Sequence, residues 1–227
     1  MIFDPLYLIL TIPALLFSLY AQWKVKSTFS RYSKVGVRSG MTGADAARAI
    51  IRASGMSGVT VERHGGFLSD HYDPRAKVLR LSPDVHDGRS ISSVAVAAHE
   101  AGHSLQDAAG YAPLVWRSKL VPLTQIGSSL WFLPFLAGAM IPSMGQLMWL
   151  GAALFALVVV FQLVTLPTEF NASNRAKAVL ATTGIVSTQE EARGVEKVLD
   201  AAAMTYVAAL VASLMQLLYI VMRARER

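Results

Sequence analysis

The chain has 227 residues and a formal net charge of +6, with 53% apolar residues, 16% charged residues and no cysteine. Soluble domains carry about 25% charged residues, and the mean hydropathy here is +0.42. These values exclude a disordered chain, a disulfide scaffold and a thiolate metal site, and the uneven spread of charge excludes a plain bundle of spans.

The first charge-free stretch, 5–23, has 19 residues. A helix needs about 20 apolar residues to cross the hydrocarbon core, so a span is predicted near 4–23. It lacks the basic n-region and small-residue cleavage site of a secretory signal, so a retained anchor is expected. Only Asp4 flanks it on the N-terminal side, whereas Lys24, Lys26, Arg31, Lys34 and Arg38 follow it. The positive-inside rule then places the N-terminus outside and 24–121 in the cytoplasm. That segment holds 14 of the 21 Lys and Arg. The basic balance reads as a membrane-surface signal. Nucleic acid is not expected as a partner, because no basic stripe alternates with aromatics.

Within 24–121 the composition is that of a soluble domain. Thr42 and Asp45 form a capping-box pattern, and Ala46, Ala47, Ile50 and Ile51 follow at helical spacing until Gly55. Val59 to Glu62 is β-prone. Ala76-Lys77-Val78-Leu79-Arg80-Leu81 alternates apolar and polar residues and predicts a strand that Pro83 stops. His71 and Tyr72 fall in a polar loop closed by Pro74. An Ala-rich helix is predicted from Ile91 to Ala109, started by Ser90 or Ser92 and closed by Gly110.

That helix carries His99-Glu100-Ala101-Gly102-His103, an HExxH pattern. Residues four apart share a helical face, so two imidazoles there can bind one Zn²⁺. Glu100 is placed to reach a water on the metal and to take its proton. Chance alone predicts only about 0.003 such matches in this composition. A catalytic zinc site keeps three protein ligands, so a third is required. His64, His71 and His86 lie upstream, and Asp107 lies one turn beyond His103, in a supporting position. Glu169 is the only acid between Asp107 and Glu190.

The second charge-free stretch, 120–168, has 49 residues and holds turn chemistry at Ile141 to Gln146. Two spans are predicted, near 122–141 and 147–167. This hairpin returns Glu169 to the side that carries His99 and His103, with Thr168 as a candidate helix cap. Trp116, Trp131 and Trp149 read as interfacial or packing residues. Ser187 and Glu190 form a second capping-box pattern, and Glu190, Glu191 and Glu196 face Arg193 and Lys197 at helical spacing. The last charge-free stretch, 201–222, has 22 residues and predicts the fourth span. Arg223, Arg225 and Arg227 fall outside in this topology and count against it.

Ser69-Asp70-His71-Tyr72-Asp73-Pro74, Lys77-Val78-Leu79-Arg80-Leu81-Ser82, the HEAGH run with Gln106, and Glu169-Phe170-Asn171-Ala172-Ser173 resemble the YugP-type neutral zinc metallopeptidases of bacterial membranes. The likeness runs from about residue 3 to 222. More distantly the chain is similar to HtpX and CAAX-prenyl-protease gluzincins, whose third ligand is a Glu downstream of a transmembrane hairpin. Those enzymes often place an Asp four residues after that Glu to orient a ligand histidine; here Ser173 stands there.

The resemblance and the spacing together imply a gluzincin mechanism at the bacterial inner membrane, with the active site on the cytoplasmic side. One Zn²⁺ is held by His99, His103 and Glu169, and Glu100 activates the water. His71, Tyr72 and Arg175 are candidate oxyanion donors. The strand 77–81 is the candidate edge for an extended peptide.

The expected architecture is a mainly α membrane protein, with four transmembrane helices and a cytoplasmic zincin-like α+β catalytic part. Residues 1–23 are the anchor and 24–121 the catalytic segment. Residues 122–167 are the transmembrane hairpin and 168–200 the segment with the third ligand. Residues 201–227 are the last span and basic tail. The expected partners are the bilayer and a peptide or membrane-protein substrate. A catalytically silent zinc scaffold or partner-binding protein, and a zinc hydrolase of a non-peptide substrate, are the alternatives. The intact Glu100 argues against the scaffold.

Overall fold

The structure is a computed structural model that describes residues 4–66 and 69–226. In chain order its elements are α1 (Pro5–Tyr32), α2 (Gly43–Ala53), β1 (Thr60–Arg63), β2 (His71–Asp73), β3 (Val78–Leu81), α3 (Pro83–His86), α4 (Ile91–Ala108), α5 (Ala112–Leu130), α6 (Phe132–Met140), α7 (Leu147–Thr183) and α8 (Gln189–Arg225). Four stretches are long and apolar enough to cross a membrane: α1, α5 with α6, α7, and α8. The chain forms two compact units. One comprises Met1–Gln22, Val115–Pro167 and Thr205–Arg227; the other comprises Trp23–Leu114 and Thr168–Met204.

The first unit contains the charge-free parts of the long helices. Its interior gathers Phe135, Met148, Phe155, Tyr219 and Ile220, and Trp131 meets Phe155 edge-on at 5.1 Å between ring centroids. Ile9, Leu16, Leu133, Leu150 and Leu163 are exposed, an apolar surface suited to lipid rather than water. The expected single helix over 122–141 is instead broken at Trp131, between α5 and α6. Pro134 is the cause: it has no N–H, and its ring crowds the carbonyl of the residue four back, Leu130. At one end of this unit, buried Asp4 accepts hydrogen bonds from the Tyr219 hydroxyl at 2.9 Å and from Arg223 Nε at 2.8 Å. Arg223 also donates to Glu226. The arginine that counted against the predicted topology is thus engaged by two carboxylates.

The second unit packs α2 and α4 with a three-stranded sheet in the order β1-β3-β2. β1 runs parallel to β3, with Thr60 opposite Val78, and β2 runs antiparallel to it, with Tyr72 opposite Leu79. Leu79, Leu81, Ile50, Val94, Ala97, Ala98, Ala101, Ala176, Leu180 and Leu199 form its core. The predicted capping box of α2 is present: Thr42 Oγ accepts from Asp45 N at 3.0 Å, and Asp45 accepts from Thr42 N at 3.2 Å.

His71 and Tyr72 are not in a loop but in strand β2. The strand predicted at 76–81 begins at Val78 and lies at the centre of the sheet, with both edges paired, so β3 cannot serve as the edge for a substrate. Thr168 is not a helix cap, because α7 continues through Pro167 to Thr183. The second capping box sits one residue later than predicted. Thr188 Oγ accepts from Glu191 N, and the buried Glu191 carboxylate accepts from the backbone of Ser187, Thr188 and Arg38. Glu191 is therefore not part of an exposed charge ladder.

Candidate metal centre

α4 starts at Ser90, whose hydroxyl accepts from Ser93 N at 3.1 Å, and closes at Gly110 in the left-handed region. Ala95, Ala97, Ala98 and Ala101 are fully buried along it, so neighbouring backbone approaches closely. The limiting contact is Gly102: a Cβ there would lie 2.4 Å from the Ala172 carbonyl oxygen of α7. This approach brings the Glu169 turn of α7 onto the His99 and His103 face of α4.

His99 Nε2 lies 3.0 Å from Glu169 Oε2, and His103 Nε2 lies 3.5 Å from the same oxygen. The two imidazoles meet edge-to-face at 4.8 Å. The Glu169 side chain is 2% exposed. Glu169 follows the charge-free stretch of α7. Burial by itself would raise its carboxyl pKa, but hydrogen bonds and charge from His103 and His99 outweigh that and hold it well below the usual carboxylate range. It is therefore an anionic ligand group at neutral pH. Glu100, the neighbour of His99, is buried.

Each histidine is held from behind. His99 Nδ1 is 3.1 Å from Ser173 Oγ, and His103 Nδ1 is 3.0 Å from Gln106 Oε1. Both Nε2 atoms thus face Glu169, and both Nδ1 atoms are engaged, the arrangement typical of metal-binding imidazoles. One ligand atom from each of His99, His103 and Glu169 lies within 4.8 Å of the others. Two imidazole nitrogens and a carboxylate oxygen form a donor set that suits zinc.

The other sequence candidates fall elsewhere. His71 Nδ1 contacts the Ser69 carbonyl at 2.8 Å, and its ring packs against His64. Tyr72 donates to Asp107 at 2.6 Å, and Lys77 Nζ binds the same carboxylate at 2.5 Å. Asp107 therefore supports the β2–β3 hairpin rather than a histidine. Burial, with the Asp107 hydrogen bond and charge added, raises the Tyr72 pKa and keeps its hydroxyl protonated. Arg175 Nε donates to Asn171 Oδ1 at 2.8 Å, and its guanidinium lies over the Tyr111 ring. It is not paired with Asp107 among the described residues.

Residues 7–225 match a protein family described as "Putative neutral zinc metallopeptidase". The chain belongs to this family. It is also 50% identical, over 217 residues and 96% of both chains, to "Putative membrane protease YugP" of Bacillus subtilis (strain 168). No solved structure matches it significantly. The match covers the DHYDP, HEAGH and EFNAS segments, and a buried group able to hold a metal ion is compatible with the family's description.

Ser173 stands where the distant relatives carry an orienting Asp and does meet His99, whereas no sequence expectation named Gln106 as the partner of His103. Spacing carried a signal for both. Gln106 is one helical turn after His103, and Ser173 is one turn after Glu169, so each shares a face with a ligand.

Proposed function

We propose that the protein is a membrane-embedded zinc-dependent endopeptidase, with one Zn²⁺ held by His99, His103 and Glu169. The observation that carries this reading is the buried meeting of Glu169 with an HExxH pair 70 residues away in the chain. Zinc, when bound, supplies a Lewis acid that polarises a carbonyl and lowers the pKa of water toward about 7. Glu100 accepts the proton of the attacking water and hands it to the departing amine nitrogen, which balances the hydrolysis. Ser173 and Gln106 hold the imidazoles in place.

Of the three oxyanion candidates, Tyr72 fits best. Its hydroxyl stays protonated one turn beyond His103, and it serves an oxyanion by turning its single proton away from Asp107. The contacts of His71 and Arg175 point them to other tasks. Strand β2 is an edge of the sheet and packs against α4, so it replaces β3 as the strand that receives an extended peptide. The basic cluster after the first span supports a cytoplasmic site in a bacterial inner membrane.

Purified protein is expected to carry about one zinc per chain, the count of a mononuclear catalytic site. Glu100→Gln should retain the metal and lose peptide cleavage. Full activity in that variant would remove Glu100 from the mechanism. Comparing proteomes of cells with wild type and Glu100→Gln separates the alternatives. Uncleaved membrane proteins should accumulate in the variant, whereas identical proteomes would favour a silent scaffold or a non-peptide substrate.

A further inference from the structure

Behind His103 runs a hydrogen-bond chain that ends at Arg175, and each link dictates the next. A guanidinium can only donate, so the Asn171 atom 2.8 Å from Arg175 Nε is the carboxamide oxygen. That oxygen faces a Gln106 atom at 3.0 Å, which must be the donor Nε2. The Thr168 carbonyl, which only accepts, lies 2.8 Å from the same atom and makes the same demand independently. With both hydrogens of Nε2 used, Gln106 turns Oε1 to His103 Nδ1 at 3.0 Å. An amide oxygen accepts, so Nδ1 carries the proton. Gln106 is fully buried, so water cannot take over its role.

We infer that Gln106, Asn171 and Arg175 are positioning residues that lock His103 in its Nδ1–H tautomer and leave its Nε2 lone pair to bind zinc. Arg175 then acts on the metal from three links away, not on the substrate. A flipped Gln106 would present its NH₂ to Nδ1, demand a lone pair there, and leave an Nε2–H aimed at the metal. Thr168 and Asn171 oppose the flip together, and Arg175 keeps Asn171 from turning its own amide. This inference rests on the zinc reading above.

The test measures zinc affinity of the metal-stripped full-length protein in detergent by chelator competition, with the cobalt(II) spectrum as a second readout. Gln106→Leu should weaken zinc by 10- to 100-fold and shift the cobalt bands, the range usual for loss of a histidine's supporting partner. Asn171→Leu and Arg175→Ala should each cost about tenfold, since Thr168 still opposes the flip. Asn171→Asp keeps the one oxygen that the chain uses and should stay close to wild type. Adding Arg175→Ala to Gln106→Leu should change nothing further, because the arginine acts through the glutamine. If Gln106→Leu does not fold, the contrast between Asn171→Asp and Asn171→Leu carries the test alone.

Equal losses in the two Asn171 variants would overturn the inference. So would Arg175→Ala with unchanged zinc affinity, with or without loss of cleavage. Wild-type protein that fails to bind zinc would instead sink the endopeptidase reading itself, so the two failures are distinct.

Discussion

Replacing Gly102 by Ala puts two effects of opposite sign against each other. Within an isolated helix, Ala is favoured over Gly by about 1 kcal/mol. On that ground alone the variant should be more stable. The structure predicts the reverse. The added Cβ would lie 2.4 Å from the Ala172 oxygen, 3.0 Å from its carbonyl carbon and 3.2 Å from its Cα. All three atoms are backbone, so no side chain can rotate away. The first contact falls about 1 Å short of an ordinary van der Waals distance, and α4 and α7 must part by a similar amount. Ala172 lies between Glu169 and Ser173, so both residues would move relative to His99 and His103. Metal sites hold ligand distances within about 0.2 Å, and a misplacement of about 1 Å can cost on the order of 100-fold in function. Overpacking adds about 1–3 kcal/mol of destabilisation, which exceeds the helix gain. The expected outcome is a zinc affinity at least tenfold weaker, measured by chelator competition, together with a lower melting temperature by circular dichroism. A variant that binds zinc within twofold of wild type and melts higher would refute the close-approach argument.

Three further outcomes are expected. Ser173→Ala removes the partner of His99 Nδ1 and should weaken zinc about 10-fold, while Ser173→Asp should restore it, both read by the same competition. Tyr72→Phe should lower kcat by about 100-fold with KM and zinc content unchanged, the size of a lost oxyanion donor; kcat within a few-fold of wild type would leave Tyr72 only as a brace for Asp107. Asp70 accepts from Ser82 N at 2.7 Å and from its hydroxyl at 3.0 Å, yet burial pushes its carboxyl above the usual 3.8 against those bonds. The folded state therefore holds this proton more tightly than the unfolded chain, and this residue's contribution to stability falls as pH rises from 3.8 through the raised value. Asp70→Asn should abolish that slope, so its melting temperature relative to wild type should climb across that window. A difference that stays flat or falls with pH would contradict the burial argument.

Four candidate spans were legible in the sequence because composition alone marks them: a helix facing hydrocarbon must lack charge over about 20 residues, whatever it packs against. The HExxH pair was legible because i and i+4 spacing is a property of one helix alone. Helix ends that depend on local chemistry, such as Thr42 with Asp45, were readable for the same reason. The 187–191 cap slipped by one residue because a tertiary contact intervened. Glu191 also accepts the Arg38 amide, 153 positions away. Sheet order was hidden as well. Alternation marks a strand but not its neighbours, so β3 passed for an edge although β1 and β2 cover both its sides.

By itself, then, the sequence determined the apolar stretches long enough to cross a membrane, the shared His99 and His103 face of α4 and Glu169 as the candidate third ligand, since each follows from spacing or composition along one segment. Only the tertiary structure joined the groups behind the two histidines across helices. Hydrogen bonds from Ser173 to His99 and from Gln106 through Asn171 to Arg175 span α4 and α7. They depend on a helix crossing that Gly102 permits, and no periodicity within either helix encodes that distance.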